Sequence, residues 1–325
     1  MLLTIAIPNF NGAVYIADTI ISCRNIRLPL DAFEILVMDN ASTDNSVEIA
    51  EQLKALIPNI RIVRNQENIG RLPNWKKCIT EARGTYLNYL FVTDQINEHN
   101  NIHDLVEVLN RDDKISMCAS KFIIKYDRMS QHIGNDFFNS DIKMESKVFI
   151  SSQILKGLLV NGFLQANLMR CEDISGIDFN ETLPFTCDHI FSSEAALKRD
   201  YMFFSTNPQI TWSIYKNPGR FHSKTTIGEI VRNNLEAAKT ISQMVGIGIK
   251  DLYRFYALEI DRILYQKFRQ SHLISGKSSF IRSFLYLFRE INKNRISKPL
   301  VINSFINQMS KTLIQIVKKK LINNK

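Results

Sequence analysis

The sequence predicts an α/β fold: a mostly parallel central sheet with helices on both faces, followed by a C-terminal helical appendage. Short apolar runs alternate with helical patterns over the first 110 residues, and each run ends in a polar residue. Beyond Thr225 the pattern is mostly helical.

"LLTIAIP" is a β run stopped by Pro8, and "FEILVMD" is a second, ended by Asp39. Between them "NGAVYIADTIISCRNI" repeats Tyr15, Thr19 and Ile20 or Cys23 at helical spacing, which makes a βαβ opening. "STDNSVEIAEQLKAL" reads as a helix with Ser42 or Thr43 as N-cap and Asp44 and Glu48 near its positive end. "IRIVRN" follows as a strand, "LPNWKKCITEA" as a helix, "GTYLNYLFVTD" as a strand tipped by Asp94, and "NIHDLVEVLNRD" as a helix. From about 115 to 225 the pattern is mixed. "ISMCASKFIIKYD" reads as a strand pair or one long strand, and "SKVFISSQILKGLLVNGF" as strand and helix. "LPFTCDHIFSSEAALKRD" is a loop entering a helix, and "YMFFSTNPQITWSIYKNPGRFH" gives strands broken at "NP" and "NPG". The expected division is 1–225 for the α/β domain, with a first half at 1–110 and a second, mixed half at 111–225, and 226–325 for a basic helical region.

At 325 residues, with 45% hydrophobic and 22% charged side chains, the chain buries a full-sized core without staples. Its five cysteines, widely spaced and without a C-x-x-C pair, read as reduced thiols. The apolar start is too short and lacks a basic flank for a signal peptide, and no run reaches 18 apolar residues, so the expected location is cytoplasmic. The net charge of +9 comes from one end: residues 262–325 hold 14 Lys and Arg against the single acid Glu290. A basic tail on a mildly acidic body argues against nucleic acid as partner and for an anionic surface beside that end.

Ligands of such sheets sit beyond the carboxyl ends of the strands, where Asp39 and Asp94 are expected. Neither G-x-G-x-x-G nor a P-loop follows the first strand, so both phosphate-cradling turns are excluded. "PNFNG" stands there instead, and Asn9, Asn11 and Gly12 fit either a close approach of backbone to a ligand or a plain Asx-capped turn. Asp39 can accept hydrogen bonds from a base or ribose. Asp44 reads as a capping or turn residue. Asp94 suits a divalent cation such as Mg²⁺ or Mn²⁺, which takes oxygen ligands and needs only one or two carboxylates beside substrate phosphates. His99 and His103 share a helical face but lack the companions of a zinc site.

The ordered set "LTIAIPNFNGAVYIADTI", "FEILVMDNASTDNSVEIA", "NQENIGRLPNWKKC", "ARGTYLNYLFVTD" and "TCDHIF" resembles the family 2 glycosyltransferases of GT-A, Rossmann-like fold over residues 1–195. The resemblance implies that Pro8 and the Asn9–Asn11 loop line a nucleotide-sugar site. Asp39 then accepts from the base, usually uracil, and Asn68 to Gly70 end the third strand and shape the nucleotide wall. Asp94 matches the metal-binding last Asp of the family's D-x-D or D-D, with Mn²⁺ or Mg²⁺ on the diphosphate of a UDP-sugar. Thr93 stands where a neighbouring carboxylate often binds ribose. Asp188 matches the catalytic base, with Glu181 and Glu172 as alternatives, and in an inverting transfer such a carboxylate takes the acceptor hydroxyl's proton. In "NPGRFHSKTT", His222 matches a late metal ligand, and Arg220, with Ser223 and Lys224, sits on a loop that closes over the diphosphate. Asn161, Gly162, Gln165 and Asn167 are placed on the acceptor side.

The expected activity is a metal-dependent, hexosyltransferase-type transfer from a UDP-sugar to a saccharide acceptor, lipid-linked or not, in bacterial surface-polysaccharide synthesis. The alternative is a non-catalytic sugar-nucleotide-binding or assembly module, favoured by Thr93 and disfavoured by Asp39, Asp94 and Asp188. The tail helices combine Phe, Leu and Ile faces with Lys and Arg flanks, ending in Lys318 to Lys320. They fit an anionic bilayer, making the protein peripheral on the inner face of the membrane, or packing on the domain or a second copy.

Overall fold

Strands β1 (Leu3–Asn9) and β2 (Phe33–Asp39) are buried along almost their whole length, as continuous apolar runs must be when both faces of a sheet are covered. In the computed structural model they pair in parallel from Leu3↔Phe33 to Asn9↔Asp39. The structure describes residues 1–125, 131–156, 163–213, 227–248, 250–252 and 255. The chain divides into two units, Met1–Ile150 with Val160–Ser223, and Ser151–Leu159 with Lys224–Lys325.

The first unit holds an eight-stranded sheet of order β3-β2-β1-β4-β10-β6-β11-β9. Its members are β3 (Ile60–Arg64), β4 (Tyr86–Tyr89), β6 (Ile115–Ser120), β9 (Ile142–Glu145), β10 (Asn167–Arg170) and β11 (Tyr201–Ser205), beside β1 and β2. β3, β2, β1 and β4 are parallel, as the alternation of strands and helices predicts. β10 lies antiparallel between β4 and β6, and β9 is antiparallel to β11, so the sheet is mixed. A second sheet, β5-β12-β7-β8, is built from β5 (Asp94–Ile96), β12 (Ile210–Ser213), β7 (Phe122–Lys125) and β8 (Gln131–Gly134).

Alternation along the strands sorts the core into two layers. Leu3, Ile5 and Ile7 share a face with Phe33, Ile35 and Val37. They form one cluster with Ile16 and Ile20 of α1 (Ile16–Ser22), Ala50 of α2 (Ser46–Leu53) and Leu105, Val106 and Leu109 of α4 (Ile102–Arg111). On the opposite face α3 (Arg71–Glu81) packs over β1 and β2, and the Tyr89 hydroxyl donates to the Trp75 carbonyl at 2.7 Å. The remaining helices of this part of the chain are α5 (Ser146–Leu155), α6 (Cys171–Ile174) and α7 (Cys187–Ala196).

Four expectations need correction. The run ending in Asp94 is not one strand: β4 stops at Tyr89, and Asp94 opens β5 in the other sheet. Thr93, at φ +149°, breaks the extended run between them. The α2 helix begins at Ser46 behind Asn45, because Ser42 is taken by Asp39 and Asp44 accepts the Ser46 N–H at 3.1 Å. Asn68 to Gly70 do not end β3, which stops at Arg64; they are the turn into α3, with Gly70 at its N-cap. α5 starts at Ser146, directly after a strand at 142–145 rather than within the run read as strand then helix.

In the second unit α8 (Ile227–Val245) ends at Gly246, φ +76°, and the Ile247 N–H reaches back to the Ser242 carbonyl at 2.9 Å, a left-handed C-terminal cap. The tail helices expected from residue 256 onward lie outside the described residues. Among the described residues no helix is long and apolar enough to cross a membrane, and the five cysteines are free thiols.

The amino edge of the parallel strands is locked by polar groups. Glu34, nearly fully buried, accepts from Thr4 Oγ1 at 2.8 Å, Arg61 Nε at 2.8 Å and the Arg83 N–H at 2.9 Å. Burial pushes its carboxyl up, but these donors outweigh that and leave it below the usual range. Next to it Gly84 brings the entry to β4 against β1: a Cβ there would stand 2.5 Å from Leu3 C and Thr4 N and 2.8 Å from the Tyr86 carbonyl. These are backbone atoms of the sheet and cannot yield. Gly84→Ala is expected to destabilise the fold by about 2 kcal/mol, read as a lowered urea midpoint at unchanged slope.

Candidate active site at the carboxyl edge

The tips of β1 and β2 meet side by side, and their loops are laced together. Asn9 Nδ2 donates to Asp39 Oδ1 at 2.8 Å and to the hydroxyls of Ser42 at 3.1 Å and Ser46 at 2.9 Å. Asp39 is completely buried, and its carboxylate also accepts the Ser42 hydroxyl at 2.5 Å and the Ser42 N–H at 3.0 Å, with Arg64 Nε at 3.4 Å. Asn11, at φ +52°, donates its N–H to Ser42 Oγ and accepts the Thr43 N–H at 2.8 Å. Asp44 accepts the Ala13 N–H at 2.9 Å, so it fastens the first loop as well as the α2 turn. Pro8, the last β1 residue before Asn9, pairs with Met38.

Asparagines extend the network sideways. Asn40 Nδ2 donates to Asn68 Oδ1 at 2.8 Å and the Gly70 carbonyl at 3.2 Å, while its Oδ1 accepts Asn65 Nδ2 and the Ile69 N–H, each at 3.0 Å. Asn65 also donates to Asn74 Oδ1 at 2.9 Å, and Asn74 holds the Met38 carbonyl at 3.1 Å. Asn68 and Gly70 are therefore held by Asn40, which Asn65 and Asn74 brace in turn, and none of these three asparagines stands out in the sequence as a site residue. The signal was present: an asparagine follows immediately upon β2 and upon β3.

Asp94 and the strand it opens are held by α1 and the 3-10 turn Cys23–Asn25 that follows it. Thr19 Oγ1 donates to the Asp94 carbonyl at 3.0 Å, Ser22 Oγ accepts the Ile96 N–H at 2.9 Å, and Asn25 Nδ2 donates to the Ile96 carbonyl at 3.0 Å. The Asp94 side chain is buried, with the Thr93 hydroxyl 3.4 Å from its Oδ1. At φ +149° the β-branched Thr93 carries backbone strain of the kind that gathers at functional sites. Gly12 lets the first loop close on this segment, since a Cβ would lie 2.3 Å from Asn9 Oδ1 and 2.8 Å from Val92 Cγ1. Among the described residues no group of three or more His, Cys, Asp or Glu could hold a metal. His222 and Arg220, like Asn161 and Gly162, lie outside the described residues.

This is a polar carboxyl-edge site on a parallel α/β half, and residues 4–164 match the model of the Glycosyl transferase family 2. The chain carries a glycosyl transferase family 2 domain. It is 31% identical over 107 residues to the glycosyltransferase AglD of Haloferax volcanii, a match covering 32% of this chain and 17% of that protein. An uncharacterized glycosyltransferase of Haemophilus influenzae is 23% identical over 92% of this chain and 96% of its own length. S. aureus TarS 1-349 in complex with UDP-GlcNAc superposes with a TM-score of 0.62 at 16% identity, over 86% of this chain and 77% of that one, a likeness of fold.

Asp188 lies in the first turn of α7, with 28% of its side chain exposed. Burial raises its pKa above the ordinary aspartate value, against the opposing pull of His189, whose N–H donates to Oδ1 at 3.0 Å, and of Arg71. Arg71, the first residue of α3, donates to the Pro184 carbonyl and stacks over Trp75 at 4.7 Å. Trp75 in turn touches Phe91, ring centroids 4.9 Å apart. An aromatic and cationic chain thus joins the 90–94 segment to the Asp188 turn. Glu172 lies at the opposite, amino edge, where β10 ends beside the start of β4, and pairs with Arg199. Glu181 sits exposed in the Asn180 turn. Gln165 and Asn167 are buried, and their carbonyls accept Asn88 Nδ2 at 3.1 and 2.8 Å. His103 is exposed beside Asp104. A cavity of about 370 Å³ lies away from this edge, where the start of α5 meets the α7–β11 turn, lined by Glu145, Ser146, Lys198, Asp200 and Tyr201.

Asn40→Ala removes four hydrogen bonds and strands the buried Asn65 amide, so it is expected to cost about 1–3 kcal/mol in denaturant unfolding. The amides of Ile69 and Gly70 are expected to lose hydrogen-exchange protection first.

Proposed function

We propose that the protein is an inverting, GT-A-type glycosyltransferase that moves a hexose from a UDP-sugar to a saccharide acceptor in cell-surface polysaccharide synthesis. The observation that carries this reading is the clustering at one sheet edge of a rigid polar wall, a buried carboxylate and a second carboxylate of raised pKa. The TarS complexes with UDP and UDP-GlcNAc support UDP as the nucleotide, and the poly(ribitol-phosphate) beta-glucosyltransferase of Bacillus spizizenii, 30% identical over 98 residues, supports the polymer setting. The chain spans 15–17% of the length of that relative and of AglD.

In this reading the Pro8–Asn11 loop, Asp39, Asn68 and Gly70 frame the nucleotide. Asp39 spends its hydrogen bonds inside the protein, so it acts on the base chiefly by fixing the loop around it. The Asp94 carboxylate would hold Mn²⁺ or Mg²⁺, which prefer oxygen ligands, with His222 as a further ligand, and the Thr93 hydroxyl beside it would bond the ribose. When bound, such an ion supplies positive charge to the departing diphosphate. Arg220 is assigned to the same group.

Asp188 accepts the proton of the acceptor hydroxyl while that oxygen bonds to the anomeric carbon and the bond to the diphosphate breaks. Partial removal from water makes the carboxylate a stronger base than a fully solvated aspartate. Acceptors are saccharides, lipid-linked where the basic region at 226–325 meets an anionic membrane surface, and that region also offers a surface for a second copy. A non-catalytic binding module is the second reading, and Thr93 in place of a carboxylate favours it.

Release of UDP from UDP-sugars with saccharide acceptors separates the two readings. Turnover that needs Mn²⁺ or Mg²⁺ and disappears in Asp94→Ala is expected; UDP binding without release from any donor would favour the binding module. Asp188→Asn is expected to lower turnover by about two to four orders of magnitude. The raised pKa also has a stability consequence. Its contribution is fully present below the unfolded value and lost as pH rises through the folded value, so the ionised carboxylate weakens the fold at neutral pH. Asp188→Asn should therefore melt higher than wild type at pH 7, with the difference vanishing on acidification. A lower melting temperature at pH 7 would contradict this.

A further inference from the structure

Between Asp94 and Asp188 runs a row of rings that the proposed mechanism leaves unused. Trp212 of β12 stands directly opposite Asp94 of β5 in an antiparallel pair, so the two side chains leave the same face of the small sheet. The Trp212 ring lies 5.7 Å from that of Phe163, and Phe163 meets the His189 ring edge-on at 6.2 Å. His189 adjoins Asp188, its Nε2 4.0 Å from Oδ1. Phe122, fully buried, backs the row at 4.6 Å from Phe163 and 6.4 Å from Trp212. Trp212, Phe163 and His189 themselves remain partly exposed.

A row with a buried backing and an accessible front, reaching from the diphosphate carboxylate to the proton acceptor, has the shape of a floor under one sugar ring. The C–H face of a pyranose is apolar and matches an aromatic surface, while its hydroxyls point away toward polar groups. We propose that Trp212 and Phe163 form the platform on which the transferred hexose lies, holding its anomeric carbon between Asp94 and Asp188. This rests on the sugar-nucleotide reading of the site. Trp212 then contributes to binding of the sugar and nothing to binding of the nucleotide.

The chain has only two tryptophans, so Trp75→Phe leaves Trp212 as the sole indole reporter. In that variant, with Mn²⁺ present, at least one of UDP-glucose, UDP-galactose and UDP-GlcNAc should change Trp212 emission, and UDP alone should not. Calorimetry provides the second readout. Trp212→Ala should weaken that UDP-sugar on the order of tenfold and leave UDP within about twofold, with Trp212→Phe close to wild type. Equal weakening of UDP and UDP-sugar, or an unchanged ratio between them, would overturn the platform while leaving the nucleotide site standing. Wild-type protein that binds neither UDP nor any UDP-sugar would overturn the sugar-nucleotide reading itself, and the platform with it.

Discussion

A fully buried aspartate at the end of a central strand has to satisfy its carboxylate from within the protein, and everything at the carboxyl edge is arranged around that requirement. Asp39 meets it with Asn9, both the hydroxyl and the N–H of Ser42, and Arg64. Because those donors sit on the β1 tip, the β2–α2 turn and the end of β3, satisfying one carboxylate fixes three chain segments at once. The Asn40 network carries the same rigidity to Asn68 and Gly70, and so to the start of α3, where Arg71 donates to the Pro184 carbonyl in the loop before Asp188. The carboxyl edge is thereby held rigid by hydrogen bonds made within the protein.

The other carboxylates are held by different means. Asp94 is positioned through its backbone, by the Thr19 hydroxyl and the β5–β12 pairing, and the Thr93 hydroxyl lies 3.4 Å from its Oδ1. Asp188 carries the electrostatic penalty: burial raises its pKa, and His189 and Arg71 offset only part of the rise. A carboxylate whose pKa is raised in this way weakens the fold it sits in once it must ionise.

Much of this was legible in the sequence, and the rest failed for definite physical reasons. The four parallel strands showed themselves because strands covered on both faces are continuous apolar runs, as in β1 and β2. β10 did not, because four residues, Asn167–Arg170, are too few to display a period, and their place between β4 and β6 depends on partners far away in the chain. The same limit concealed β5: apolar residues continue through Phe91 and Val92, and only the backbone at Thr93 reveals that the chain changes sheets. Asp39, Asp94 and Asp188 stood out as carboxylates at element ends. Asn40, Asn65 and Asn74 did not, since an asparagine after a strand is an ordinary turn residue until its partners are known. Glu172 was removed from the site by topology alone, because an antiparallel strand delivers its end to the opposite edge of the sheet.

The most direct measurement is a crystal structure of the protein with UDP and Mn²⁺. The account predicts uracil beside the Asp39 and Asn68–Gly70 wall, the diphosphate against a metal on Asp94, and an open space from there to Asp188 floored by Trp212 and Phe163. Nucleotide bound elsewhere, such as in the cavity between α5 and the α7–β11 turn, or a diphosphate remote from Asp94, would contradict it.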